Sequence, residues 1–284
     1  EVNKILLTGS TGFIGSELLK DLSKDNKVYV TLRKKTKKNI SAKNISQIHF
    51  NSYEDLNKKI KKIKIKTVIH CATHYVKNHN LGDIKKLTNS NILFGNIILE
   101  NLEKMGVKTF INFTTVWENF NGKKANFFNL YSAYKASFGN LIKFYEKKSN
   151  KTKFFNLVVS NTFGKNDKRS KIINILKINY KKNILTKIIS KNLYINLLNV
   201  LDIKNAIRLI LKKKYKPDTY LLKNKRDFKI TNIIKEIDNH SNKKIKIKWL
   251  SNKTFKEKTY KYKFLKNWKP NKSKIEDIVR VIIG

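Results

Sequence analysis

Three glycines at three-residue intervals, Gly9, Gly12 and Gly15, stand between a short apolar run and a helical one. Residues 5–7 read as a buried strand, and Ile14, Leu18, Leu19 and Leu22 recur at the spacing of one helix face. A strand that turns through glycine into a helix is the setting that gives such a triplet meaning. Gly9 then makes the tight turn, Gly12 lets backbone N–H groups come up to a pyrophosphate, and Gly15 lets the helix lie close on the strand. The helix N-terminus adds free N–H groups and the positive end of its dipole. The turn is therefore expected to bind a dinucleotide through Gly9, Thr11, Gly12, Phe13, Ile14 and Gly15. A glycine turn in some other α/β protein carries the same triplet, so the rest of the chain must decide.

The rest alternates in the same way. Residues 27–32, 47–50, 67–72, 107–113 and 154–159 read as strands. A long amphipathic helix is expected over 85–105, closed by Gly106, and another over 131–147. That interval argues an α/β fold, a doubly wound parallel sheet of Rossmann type. Beyond residue 160 the pattern loosens. Helices are expected at 170–182, 202–214 with Asp202 as N-cap, and 230–240, with a strand at 244–249. A capping box, Ser273-x-x-Glu276, opens a last helix over 275–283. The expected organisation is a dinucleotide-binding domain over 1–160, with part of 190–215 returning to it, and a smaller C-terminal substrate-binding cap over 161–284.

The end of the second strand bears on cofactor choice. An NAD site commonly places a carboxylate there, about 20 residues after the glycines, for the ribose 2′-OH. This chain has Leu32-Arg33-Lys34-Lys35 instead, which suits a 2′-phosphate and favours NADP(H) over NAD(H). Arg33 carries that reading, because it is one of only five arginines among 63 basic residues. The formal charge of +43 comes almost wholly from lysines spread along the whole chain. With abundant Asn and Ile, that is a compositional bias of AT-rich coding, not a base-reading surface, where Arg would lead. No specific nucleic-acid partner is expected. No apolar run approaches the roughly 20 residues of a membrane span, and no leader segment is expected ahead of the first strand. The single cysteine, Cys71, fits a reducing, cytoplasmic setting. His70, His74 and His79 are too loosely placed, and too poor in neighbouring carboxylates, for a metal site.

Tyr131 and Lys135 lie four apart on a predicted helix, hence on one face. An ammonium there lowers the phenol pKa, so the phenol can exchange a proton with a carbonyl or alcohol near neutral pH. Spacing alone does not single the pair out, since Tyr262 and Lys266 repeat it. Position does, because Tyr131 opens a helix just after a strand ending in Thr114 and Thr115. Strand ends line the ligand crevice of a doubly wound sheet. Ala72, after the 67–72 strand, is small enough for a close cofactor approach.

Together these motifs resemble the extended short-chain dehydrogenase/reductases, the NAD(P)-dependent nucleotide-sugar epimerase, dehydratase and reductase family. The resemblance runs through Thr8-Gly-Ser-Thr-Gly-Phe-Ile-Gly15, Val68-Ile-His-Cys-Ala72, Asn91, Thr115, Tyr131 with Lys135, Asn161-Thr-Phe-Gly164, Asn199-Val-Leu-Asp202 and Trp268-Lys-Pro270. It implies Tyr131 as acid/base, Lys135 as its partner and ribose ligand, and Thr115 as the hydroxyl on the substrate oxygen. It implies Asn161 as a substrate ligand, with Arg169 and Lys171 suited to a nucleotide-sugar diphosphate. The segments 111–120 and 161–171 are similar to 4-ketoreductases of deoxysugar synthesis, of the CDP-abequose synthase type. Val116-Trp117 stands where the dehydratases carry Asp-Glu, which argues against water elimination. Two positions depart from the family pattern: Asn51 replaces an acidic residue and Lys165 a proline. The expected activity is reduction of the C4 ketone of a nucleotide-linked 4-keto-6-deoxyhexose, with a 4-epimerase or a non-catalytic NADP-sensing protein as alternatives and a homodimer as the expected assembly.

Overall fold

Residues 5–8 are all buried, so the first strand, β1 (Lys4–Thr8), is covered on both faces. That is the condition of a central strand in a parallel sheet. The computed structural model describes residues 3–34, 42–213 and 215–284; Lys35 lies outside them. β1 leads into α1 (Phe13–Leu22), then β2 (Lys27–Arg33), β3 (Ile45–Phe50), α2 (Tyr53–Ile60) and β4 (Thr67–His70). A broken helical stretch follows: α3 (Leu81–Thr88), a π-turn at Asn89–Leu93, α4 (Phe94–Glu100) and α5 (Leu102–Met105). β5 (Thr109–Thr115) passes through a 3-10 turn (Val116–Gly122) to α6 (Leu130–Lys148) and β6 (Lys153–Val159). Next come β7 (Asn161–Phe163), α7 (Ile172–Lys182), β8 (Thr186–Ile188), β9 (Leu193–Ile195), β10 (Leu197–Asn199), α8 (Val200–Lys212) and β11 (Asp218–Leu222). The chain closes with β12 (Phe228–Lys229), α9 (Ile230–Asn239), β13 (Ile247–Trp249), β14 (Phe255–Lys256), β15 (Lys263–Phe264) and α10 (Ile275–Ile283).

Among the described residues the main sheet has eight strands, in the order β15-β11-β6-β5-β4-β1-β2-β3. From β3 to β5 every pairing is parallel, with Leu7 of β1 opposite Val30 on one side and Ile69 on the other. The order reverses at β1, so the sheet is doubly wound, and its switch point lies between β1 and β4. Right-handed crossovers put α1 on one face and α2 on the other, because β1-to-β2 and β3-to-β4 run in opposite directions along the sheet. Leu6, Val68 and Phe110 of the sheet pack with Leu56 and Ile60 of α2, Phe94 and Ile98 of α4, and Phe138 and Ile142 of α6. Each such fully buried side chain contributes about 1.5–3 kcal/mol, so this layer fixes where α6 begins.

By contacts the chain forms two units. The first is Glu1–Val158 with Tyr215–Tyr220 and Tyr260–Lys263; the second is Val159–Lys214, Leu221–Thr259 and Phe264–Gly284. The second has its own core, in which Phe163, Leu176, Leu197, Ile233, Ile237, Ile278 and Ile282 meet. Its strands make three small sheets, β10-β7, β12-β9-β14 and β13-β8.

Local details differ from the sequence reading. The helix expected over 85–105 starts at Leu81, where Asn80 and Asp83 cap each other reciprocally. It is interrupted because the buried Asn91 side chain turns to the chain after β4. Asn91 accepts from Thr73 Oγ1 and the His74 N–H and donates to the His74 carbonyl. Gly106 ends the stretch at φ 77°, a left-handed cap. Asn199, not Asp202, caps α8. The Asp202 carboxylate is taken by Asn271 and Lys272 N–H groups and the Ser273 hydroxyl. Ser273 is thus withdrawn from the expected capping box, and α10 starts instead with the Lys274 N–H on Asp277. Of the strand expected at 244–249, only residues 247–249 pair.

Candidate active site

The glycine turn has the backbone the spacing requires. Gly9 sits at φ 68°, and the Gly12 N–H donates to its carbonyl at 2.9 Å. A Cβ on Gly9 would meet the Ala72 backbone N at 2.6 Å, and one on Gly15 would meet the Gly9 carbonyl oxygen at 2.1 Å. Gly15 therefore lets the helix close on the turn itself, and Gly9 lets the turn touch the chain after β4. Thr11 and Gly12 are exposed, with Phe13 and Ile14 half-buried behind them. No acidic side chain lies in the first turn of α1, so no carboxylate offsets the positive end of its dipole there. The Ser10 hydroxyl is buried without a partner among the described residues. These features fit a dinucleotide: room for its backbone approach, a positive helix end, and an unmet hydroxyl beside both.

Arg33 stands at the exposed end of β2, where no carboxylate follows. Its Nη2 donates to Ser90 Oγ at 2.9 Å, and the guanidinium lies beside Tyr53, whose phenol donates to the Asn89 carbonyl. Asn51 gives its N–H to the Asp55 carboxylate. At the end of β4, Thr8 Oγ1 and His70 Nδ1 share a hydrogen bond of 3.0 Å, and the Ala72 N–H donates to the same hydroxyl. His70 is enclosed by Phe94, Phe110 and Phe138. Burial, and to a lesser degree the Lys135 charge, pushes its imidazole down to about 3, so it is neutral. Among the described residues no group of three or more His, Cys, Asp or Glu could hold a metal ion.

Asn129 caps α6 and places Tyr131 in its first turn, with Lys135 one turn on. Tyr131 meets the ring of Tyr75 edge-on at 5.1 Å, and Tyr75 leans on Trp117. Lys135 is only 4% exposed. Burial pulls its ammonium down to about 8, with Glu118 and Cys71 acting in the opposite sense. Thr115 Oγ1 accepts the Trp117 N–H at 3.3 Å, which leaves its own proton free to be donated. Its neighbour Thr114 is buried, with Oγ1 unpartnered among the described residues. The glycine turn touches Ala72, Tyr131 and Lys135 share the first turns of α6, and Thr115 ends β5; all belong to the same unit.

One residue of this region carried no role in the sequence. Glu118 follows Thr115 by three positions, and burial lifts its carboxyl to about 7 while Lys135 and Lys143 pull it down. A lone carboxylate in a polar turn ordinarily reads as solvated, whereas this one is half-buried with its Oε1 shielded from water.

In the second unit Asn161 opens β7, opposite Leu197. Arg169 is gripped by Asp167 through Nε and Nη2, both at 2.7 Å, and Nη2 also donates to the carbonyl and hydroxyl of Thr162. Lys171 precedes α7, and burial pushes its ammonium down to about 7; Arg169 adds to this, while Asp167 and Glu257 oppose it. Such a cation regains its proton when an anion settles beside it.

A doubly wound parallel sheet, a glycine turn at its switch point and a buried lysine one turn from a tyrosine define a Rossmann-type dinucleotide-binding protein. The chain belongs to the NAD dependent epimerase/dehydratase family, whose model matches residues 5–222, and is an enzyme of that family. It is similar to a CDP-abequose synthase of Yersinia pseudotuberculosis, 28% identical over 218 residues that cover 73% of each chain. Among solved structures it is similar to a UDP-N-acetylglucosamine 4-epimerase of Methanobrevibacter ruminantium in complex with UDP-N-acetylmuramic acid (TM-score 0.81, 18% identity, 99% of this chain and 97% of that one). It is likewise similar to a mutant UDP-glucuronic acid 4-epimerase of Bacillus cereus in complex with UDP-4-deoxy-4-fluoro-glucuronic acid and NAD (TM-score 0.79, 19% identity, 98% and 97%). No helix among the described residues is long and apolar enough to cross a membrane.

Proposed function

We propose that this enzyme uses NADPH to reduce the C4 ketone of a nucleotide-linked 4-keto-6-deoxyhexose, a step of deoxysugar synthesis. The observation that carries the reading is Lys135, enclosed and one helical turn from Tyr131 on the helix that follows the Thr115 strand. Likeness to a CDP-abequose synthase supports the substrate class. The glycine turn, the N-terminus of α1, Ala72 and Arg33 hold the cofactor, which supplies a hydride when bound. Tyr131 gives its phenolic proton to the oxygen that becomes the C4 hydroxyl. The Lys135 ammonium stabilises the phenolate left behind and binds the ribose. The Thr115 hydroxyl, already accepting from Trp117, donates to the ketone oxygen and orients it. Val116 and Trp117 supply no proton-transfer group, which favours reduction over water elimination.

Arg33, without a carboxylate at the end of β2, favours the 2′-phosphate of NADPH. Asn161, Arg169 and Lys171 are assigned to the nucleotide-sugar side, where a diphosphate would raise the depressed Lys171 ammonium. A homodimer in a cytoplasmic setting completes the proposal. NADPH oxidation by the purified enzyme, given CDP-, dTDP- and UDP-linked 4-keto-6-deoxyhexoses, tests it. Consumption with one of them is the expected result. No consumption, with interconversion of a plain UDP- or CDP-hexose at C4, would replace the reductase by an epimerase.

A further inference from the structure

The π-turn at Asn89–Leu93 is tied to the end of β2 and to the start of α2. Arg33 is fixed at its backbone: it lies opposite Phe50 of β3, and Lys34 donates its N–H to the Phe50 carbonyl at 3.0 Å. The Arg33 guanidinium donates through Nη2 to Ser90 Oγ at 2.9 Å. The phenol of Tyr53, the first residue of α2, donates to the Asn89 carbonyl at 2.9 Å, and its ring leans on Phe50. Asn91, next to Ser90, is buried and held by residues 73 and 74. The turn that carries Ser90 is thus pinned from three sides. Single π-turns within helices are rare and recur at functional sites.

The kind of partner decides what Arg33 can do. Arg169, in the second unit, is gripped by the Asp167 carboxylate at 2.7 Å, which neutralises its charge. Arg33 is held by a hydroxyl instead, and among the described residues no carboxylate pairs with it. A neutral acceptor fixes the direction of the planar guanidinium and leaves its charge and its other N–H donors to an incoming anion. A long side chain that is already held also loses less freedom when a ligand takes it. We propose that Ser90 is a positioning residue for cofactor choice: its hydroxyl holds the Arg33 guanidinium ready for the 2′-phosphate of NADPH and so sets the preference for NADPH over NADH. This rests on the reading of Arg33 given above. Tyr53, bonded to the neighbouring Asn89 carbonyl, keeps the turn in place beneath the guanidinium.

Fluorescence titration of the intact protein with NADPH and with NADH, which differ only in the 2′-phosphate, tests this without any sugar. Wild type should bind NADPH about ten- to a hundredfold more tightly than NADH. In Ser90→Ala the NADPH affinity should fall roughly two- to tenfold, the scale of one long side chain left for the ligand to order, while the NADH affinity holds. Ser90→Thr keeps the hydroxyl and should restore most of the loss. Ser90→Asp puts a charged acceptor in place of the neutral one and should bring NADPH affinity close to that of NADH. In an Arg33→Met background, Ser90→Ala should add nothing. A Ser90→Ala protein that keeps the wild-type ratio of the two affinities, or weakens both alike, would overturn the role of Ser90 and leave that of Arg33 standing. Should that variant fail to fold, an NADPH preference retained in Ser90→Asp would overturn it by itself. A further loss in the Arg33→Met background would mean that the hydroxyl meets the phosphate directly, and would overturn the route through Arg33. A wild type with no preference for NADPH would sink the reading of Arg33, and the role of Ser90 with it.

Discussion

Two tyrosine–lysine pairs share the same four-residue spacing, Tyr131 with Lys135 and Tyr262 with Lys266, and they have different fates. The first lies on α6, where a helical turn puts both side chains on one face and the sheet buries the lysine. The second lies in a stretch that is not helical, where the Tyr262 hydroxyl accepts from the Asn119 side-chain amide. Lys266 is exposed. A spacing becomes chemistry only when an element gives it one face and a neighbour removes it from water. Burial is the decisive part: it has brought the Lys135 ammonium near the pH at which enzymes work.

Substitutions can break that contrast in order of expected size. Tyr131→Phe should cut kcat by about a hundred- to ten-thousandfold, the usual contribution of a positioned proton donor, while NADPH affinity by fluorescence titration stays unchanged. Retained turnover would move the acid elsewhere. Thr115→Val should cost about a hundredfold in kcat; a small loss there with a large one in Thr114→Val would transfer the role to the buried Thr114 hydroxyl. Arg33→Asp removes a charged hydrogen bond worth about 1.5–3 kcal/mol, so NADPH should bind about ten- to a hundredfold more weakly and the preference should shift toward NADH. An unchanged ratio of the two cofactors would mean that the 2′-phosphate is read by another group. Lys266→Met, at the exposed end of the second pair, should leave kcat within about twofold, since exposed substitutions rarely shift energies by more than about 0.5 kcal/mol.

The parts of this molecule that were readable from sequence are those where one residue type answers one local demand. Gly9 at positive φ, Gly15 under the Gly9 carbonyl and Gly106 closing a helix are all of this kind. So are the buried strands, whose continuous apolar runs leave little choice of partner. What stayed hidden depends on contacts far apart in the chain. The π-turn at Asn89–Leu93 exists because Asn91 is held by residues 73 and 74. Asp202 reads as a cap, but amides nearly 70 residues away claim it, and Asn199 takes the cap instead. Glu118 looks like any surface acid, yet its Oε1 is shielded from water by the fold. Arg169 shows the converse: picked out for an anion, it is held bidentate by Asp167, two residues before it.

The most direct test of the account is the rate of NADPH oxidation by the wild-type enzyme with CDP-4-keto-6-deoxyglucose, beside the same assay on Tyr131→Phe. The account predicts steady consumption of NADPH by the wild type, with a 6-deoxyhexose formed in equal amount, and almost none by the variant. Equal rates in the two proteins would contradict the assignment of the proton donor, and no oxidation by the wild type with any nucleotide-linked 4-keto sugar would contradict the reductase itself.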